Sequence, residues 1–190
     1  MNRCQWVGDD ALMQHYHDTE WGIPIFDDRA LWENLILEGF QAGLSWKIVL
    51  HKRENFRNAF YDFFPEKILA MKQAEKAALL TNPGIIRSKL KIESVFQNAQ
   101  AFIDLQEKGS GLSDLAWHYT NHKPHFCFGK PDPSMQKVAE KLSKDLKKLN
   151  FKFVGPTIVY AWMQAIGLIN DHEANCSALS LKEMSKIETS

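Results

Sequence analysis

Apolar residues return at three- and four-residue intervals through most of this 190-residue chain, which is the spacing of one buried helix face. Asp27-Asp28 can cap a helix that carries Leu31, Leu35 and Ile36 and is punctuated by Gly39 and Gly43. A second helix is expected from about Ser45, with Trp46, Val49, Leu50 and Phe56 on its apolar side. Pro65 suits a first helical turn, ahead of Ile68, Leu69 and Met71. Residues 74–81 read as a short helix that Asn82-Pro83-Gly84 breaks. A long helix from about Ser88 to Glu107 presents Ile92, Val95, Phe96, Ala99 and Ile103 as one stripe, and Gly109-Ser110-Gly111 ends it.

The pattern continues with a helix over Ser113 to Tyr119, then a surface loop over 120–133, rich in proline. Ser134 can cap a lysine-rich helix to about Leu149. Pro156 or Thr157 opens an apolar helix through Tyr160, Met163 and Ile166, closed by Gly167. The tail 177–190 is polar and is expected to fray. Clean period-two runs, internal repeats and low-complexity stretches are absent, so the expected class is all-α, a single domain of two helical lobes over residues 1–176.

Composition changes this picture little. With 45% hydrophobic residues, an ordinary globular core is available. No apolar run is long enough for a bilayer, and Met1-Asn2-Arg3-Cys4-Gln5-Trp6 has no signal-peptide character, so the compartment is read as cytoplasm with no membrane partner. The net charge of +0 counts mildly against a nucleic-acid partner, because phosphate binding favours basic chains. Local basic runs soften that: Arg87, Lys89 and Lys91, and then Lys141, Lys144, Lys147, Lys148 and Lys152. Any one of these runs is also what a solvated helix face looks like.

Cysteine changes it more. Cys4, Cys127 and Cys176 are too few and odd in number for a disulfide framework. Cys4 and His17 lie near one end of the chain, His172 and Cys176 near the other. Together they would make a closed, structural zinc shell that pins the ends; alternatively they are two buried thiols and two surface histidines. His172 and Cys176 share a face if their segment is helical, and Asp18, Asp171 and Glu173 are candidate acceptors behind the histidines.

Two further features carry possible chemistry. The turn Asn82-Pro83-Gly84-Ile85-Ile86 joins two helices and, with Arg87, Lys89 and Lys91 following, could hold a phosphate; it could equally be an ordinary connection. Trp6, Tyr16, Trp21 and Trp46 crowd the first quarter of the chain, and Glu38 sits among Leu35, Ile36 and Leu37. Rings with one acid at their base suit a flat cation, while rings alone are commonly core and a single glutamate is commonly exposed.

The chain resembles the bacterial 3-methyladenine DNA glycosylase I family of the helix-hairpin-helix glycosylase superfamily. The matching stretches include Tyr16-His17-Asp18-x-Glu20-Trp21-Gly22, Glu38-Gly39-x-Gln41-Ala42-Gly43-Leu44-Ser45-Trp46, Lys52-Arg53-Glu54-Asn55, Gly84-Ile85-Ile86-Arg87, Phe151-Lys152-Phe153-Val154-Gly155 and Asn170-Asp171-His172. The resemblance implies excision of 3-methyladenine from alkylated double-stranded DNA by a monomeric, monofunctional enzyme. It implies Cys4, His17, His172 and Cys176 as ligands of a structural Zn²⁺, and Glu38 as the catalytic residue, an ionised carboxylate that attracts and orients the cationic base. Tyr16, Trp21, Trp46, Trp6 and Met13 would bind the base, Met13 standing where the family often has tyrosine. Gly84, Arg87 and Lys89 would grip DNA, and Gln41, Gly43 and Leu44 would fill the gap left by the flipped nucleotide. Asp104 falls inside the long helix and is given no role. A non-catalytic lesion-binding module and a zinc hydrolase are the rival readings; the second needs an open ligand position.

Overall fold

The structure is a computed structural model and describes residues 1–178; the remainder of the expected tail, 179–190, lies outside the described residues. Ten α-helices are present among them: α1 Ala11–Thr19, α2 Asp28–Gln41, α3 Trp46–Leu50, α4 Arg53–Ala59, α5 Pro65–Leu69, α6 Gln73–Leu79, α7 Lys89–Glu107, α8 Leu112–Trp117, α9 Pro133–Lys148 and α10 Pro156–Ala165. None is long and apolar enough to cross a membrane.

Helix α2 is the central strut. The Asp27 carboxylate accepts from the Ala30 N–H and starts it. Leu31, Trp32, Leu35, Ile36, Leu37 and Phe40 are all buried, so the helix is covered on nearly every side. Helix α10 packs against both α2 and α9, and α7 against α5 and α2. The Trp32 and Trp162 side chains are fully buried, worth roughly 2–3 kcal/mol each in apolar burial. Their indole N–H groups are satisfied by the carbonyls of Phe63 and Leu31, and that of buried Trp117 by Ile25.

Several local expectations are corrected. Gly39 does not end α2, which runs on to Gln41; glycine is needed there because a Cβ would sit 3.3 Å from the Phe153 Cβ. The single helix expected from Ser45 is two, α3 and α4, broken at His51-Lys52. The cap of α9 is Asp132, not Ser134: Pro133 takes the first helical position, and the Ser134 N–H donates to Asp132 Oδ1. The 120–133 stretch is not simply surface. His125–Phe126 (β1) pairs in parallel with Ile169–Asn170 (β2), and Cys127 is buried behind them. Nor does the packed chain stop at 176, since Ser177 and Asn2 exchange two hydrogen bonds and Ala178 is buried.

Candidate active site and metal centre

The two ends of the described residues meet. Asn2 bonds to Asn175 and Ser177, and this seam brings Cys4, His17, His172 and Cys176 into one buried cluster that could hold a metal ion. Cys4 Sγ lies 3.6 Å from His172 Nδ1, and Cys176 Sγ lies 3.5 Å from both His172 Nδ1 and His17 Nε2. The histidines are fully buried, against the surface alternative. No helix carries His172 and Cys176; a turn closed by the Cys176 N–H to the Glu173 carbonyl brings them together instead.

The outward nitrogens are held. His17 Nδ1 lies 2.8 Å from Asp18 Oδ1, and Asp18 is clamped by Arg3 in turn. His172 Nε2 lies 3.1 Å from the Trp21 carbonyl. With those N–H groups donating outward, the inward nitrogens carry lone pairs. Of the candidate acceptors, only Asp18 serves a histidine this way; Asp171 and Glu173 bond elsewhere. Burial pushes the Cys4 thiol up to about 12, so a neighbouring cation is what would favour its thiolate.

Trp21 separates this cluster from a cavity of about 310 Å³. Its ring stacks toward His17 and meets His172 edge-on. Tyr16, Trp21, Trp6, Trp46 and Glu38 line one part of the cavity; Gln41, Ala161, Gln164, Gly129, Asp171 and Glu173 complete it. Tyr16 and Glu38 form the buried floor, while Trp6, 42% exposed, stands at the mouth. The Tyr16 and Trp46 rings lie 5.3 Å apart, and α1 and α3 that carry them are pinned by Asp10, which caps α1 and pairs with Lys47 and His51.

Glu38 is not the exposed glutamate that single-residue statistics favour; it is buried, and burial pushes its carboxyl up to about 8. Glu33, on the same helix, shows the usual solution, an ion pair with Arg57 at 2.7 Å. Glu38 has no such partner. Its Oε2 is a buried side-chain atom without a hydrogen bond, and so is Trp46 Nε1. The fully buried tryptophans Trp32, Trp117 and Trp162 all have their N–H satisfied, so these two orphans on residues that line one cavity are exceptional. Tyr16 is raised well above the usual phenol range by its burial and then by Glu38.

Met13 is buried behind Trp46 and lines a separate depression with Trp6, Val7, Ser45 and Trp46, not the main cavity. Gln41 lies on the cavity wall; Gly43 and Leu44 border a shallower recess that shares Glu38, Gln41 and Ala161 with it. Gly43 adopts φ +77° in open space, so its backbone geometry is the reason for glycine. In the α6–α7 turn, Gly84 has no left-handed φ; it is glycine because a Cβ would lie 3.0–3.2 Å from Asn82 and Asn55. Its N–H already donates to Asn82 Oδ1. Arg87 and Lys89 are exposed at this turn, whereas Lys91 turns inward and donates to the carbonyls of Phe40 and Ala42 at the end of α2. Asp104 lies on α7, bonded to Gln100.

Sequence reasoning missed the far wall. Gln164 was detectable as the polar position in an otherwise apolar helix, and Asp171 was noticed only as a neighbour of His172.

Along nearly its whole length the chain is similar to proteins of one family. A family model described as methyladenine glycosylase matches residues 6–179. DNA-3-methyladenine glycosylase 1 of Escherichia coli (strain K12) is 44% identical over 179 residues, covering 93% of this chain and 96% of that protein. A crystal structure of 3-methyladenine DNA glycosylase I superposes with a TM-score of 0.87 at 43% identity, covering 93% of this chain and 98% of that one. A variant of 3-methyladenine DNA glycosylase I solved in complex with 3-methyladenine gives 0.84 at 35% identity, covering 94% and 97%. The chain belongs to the methyladenine glycosylase family.

Proposed function

We propose that this chain is a monofunctional glycosylase of base-excision repair that hydrolyses the bond between 3-methyladenine and deoxyribose in alkylated duplex DNA. The carrying observation is the cavity floor: Glu38 Oε2 and Trp46 Nε1 are buried without partners, between aromatic rings. A polar group left unsatisfied in a native core costs about 1–3 kcal/mol, which a hydrogen-bonding ligand recovers.

The mechanism follows from the lesion's charge. The base must leave the stack to reach a cavity of this shape, at a cost of a few kcal/mol. Methylation at N3 makes the purine cationic, so it is already a good leaving group. A cation against Glu38 favours its carboxylate, so a proton leaves as the base arrives wherever burial has kept the group protonated. Trp46 and Tyr16 supply ring faces that attract a cation and offer neutral adenine less. No lysine lines the cavity among the described residues, consistent with hydrolysis without strand cleavage.

Cys4, His17, His172 and Cys176 would hold zinc. A zinc tetrahedron with Zn–S of about 2.3 Å and Zn–N of about 2.0–2.1 Å has sulfur–nitrogen edges of roughly 3.5–3.6 Å, and the three measured edges are 3.5–3.6 Å. With four protein ligands such an ion would supply cohesion between the N-terminal segment and residues 172–176 and would leave no position for water, which disfavours the zinc-hydrolase reading. Exposed Arg87 and Lys89 beside the α6–α7 turn support reading that turn as a phosphate-gripping hairpin of the helix-hairpin-helix class, with Gln41, Gly43 and Leu44 at the DNA-facing rim. The working unit is a cytoplasmic monomer.

The test is release of free base from methylated DNA under single-turnover conditions, run beside Glu38→Gln. Release by the wild type and its loss in the folded variant are expected. A wild-type protein that binds methylated DNA and releases nothing is a lesion-binding module, and the enzymatic reading fails.

A further inference from the structure

The cavity has a second carboxylate. Glu38 lies on the floor, whereas Asp171 lines the same cavity nearer the mouth and is half-buried. Asp171 is held at both oxygens: Oδ1 accepts from the Gly129 N–H at 3.0 Å, and Oδ2 from Gln164 Nε2 at 2.7 Å. Both donors also line the cavity. Gly129 is positioned by the β1–β2 pair, in which the Cys127 N–H donates to the Asn170 carbonyl beside Asp171. The other acid of the rim, Glu173, is engaged by the Gln5 N–H at 2.8 Å.

Depth assigns these two acids different targets. A purine whose edge reaches Glu38 and Tyr16 on the floor leaves its glycosidic nitrogen and the attached C1′ toward the mouth, at the level of Asp171. Breaking the bond moves positive charge from the base to the sugar. Glycoside hydrolysis in general places one acid at each of the two groups being separated, and a fixed charge aimed where charge develops lowers the barrier.

The geometry points to Asp171 as a catalytic residue that stabilises the positive charge developing at C1′, with Gln164 as its positioning residue. The C1′–N9 bond breaks with its electron pair going to the methylated ring, which becomes neutral. Water oxygen bonds C1′, and the proton that water loses passes to solvent. Asp171 neither gives nor takes a proton in this step; burial raises its carboxyl, and the hydrogen bonds from Gln164 and Gly129 oppose that rise. This role rests on the glycosylase reading above.

The experiment compares duplexes carrying a cationic pyrrolidine or a neutral tetrahydrofuran in place of the damaged sugar, alongside single-turnover excision from methylated DNA. The wild type is expected to prefer the pyrrolidine duplex. Asp171→Asn should cut that preference about tenfold and lower the excision rate at least as much, with KM changed less than about twofold. Gln164→Ala should move rate and preference in the same direction, by about threefold, at an unchanged melting temperature. Glu38→Gln should instead lose affinity for added 3-methyladenine. An unchanged preference in folded Asp171→Asn overturns the assignment; if that variant does not fold, unchanged rate and preference in Gln164→Ala overturn it. Absence of base release by the wild type would count against the glycosylase reading itself, a result distinct from either.

Discussion

The Cys/His cluster and the cavity lie on opposite sides of Trp21 and are built on opposite terms. In the cluster each histidine nitrogen facing away from the sulfurs meets an acceptor, Asp18 or the Trp21 carbonyl, and Arg3 secures Asp18 from outside. In the cavity two buried polar atoms are left without partners. A completed polar set gives cohesion and fixes geometry, while an incomplete one stores binding energy for a ligand. The same contrast recurs within α2, where Glu33 is neutralised by Arg57 and Glu38 is not. On the proposed reading the cluster serves stability and the cavity chemistry, and variants on either side should separate along that line.

The largest expected effect is on the cluster. Cys176→Ser, or chelation of a bound metal, should cost roughly 4 kcal/mol, or about 8–16 °C in Tm, because a metal held by all four side chains would join two segments distant in the chain. Excision should fall only as the unfolded fraction rises, followed by circular dichroism beside base release. Activity lost from a fully folded Cys176→Ser protein would break the division.

Glu38→Gln should do the reverse. Excision should drop on the order of a hundredfold, about 2.7 kcal/mol of transition-state stabilisation. Stability should become less sensitive to pH. The Glu38 carboxyl is pushed up to about 8 in the folded protein, against a reference of 4.5. Between those values the folded state holds a proton that the unfolded state has lost, so wild-type stability falls as pH rises through this window, by at most ~1.4 kcal/mol per pH unit. Below about pH 4.5 the term vanishes, because both states are protonated. Urea titrations from pH 5 to 8.5 should show the wild type losing stability relative to Glu38→Gln. Parallel curves for the two proteins would mean that Glu38 is already paired in the free enzyme.

Much of the fold was legible because its signals are local. The Asp27 cap, the Pro65 start, the 89–107 stripe and the Gly167 stop each lie within a few residues of what they control. What was not legible depends on chain that is distant in sequence. Gly39 looks like a terminator until Phe153 is brought against it, and Ser134 looks like the cap until Pro133 hands that position to Asp132. The β1–β2 pair is two residues long on each strand, too short for any alternation to register. At the site, the acid among apolar neighbours in α2 signalled Glu38 and the ring density signalled its walls. On the far wall only Gln164 carries a local signal, as a polar position in an apolar helix; the place of Asp171 follows from how α10 and β2 pack.

The smallest effects should come from the α6–α7 turn, where neither cohesion nor bond cleavage is at stake. Arg87 is exposed with no ion pair among the described residues, while Lys89 lies 3.8 Å from Glu93, which offsets part of its charge. Arg87→Ala should weaken binding to undamaged and methylated duplexes alike by a few-fold, and should reduce the slope of log affinity against log salt by about 0.9, the signature of one lost phosphate contact. Lys89→Ala should change that slope less, because Glu93 already competes for the ammonium. Both variants should keep the wild-type excision rate once DNA is saturating, since the cavity is untouched. A larger slope change for Lys89→Ala than for Arg87→Ala would place the phosphate along the first turn of α7 and not on the turn before it, and the hairpin as drawn would have to shift by one helical turn.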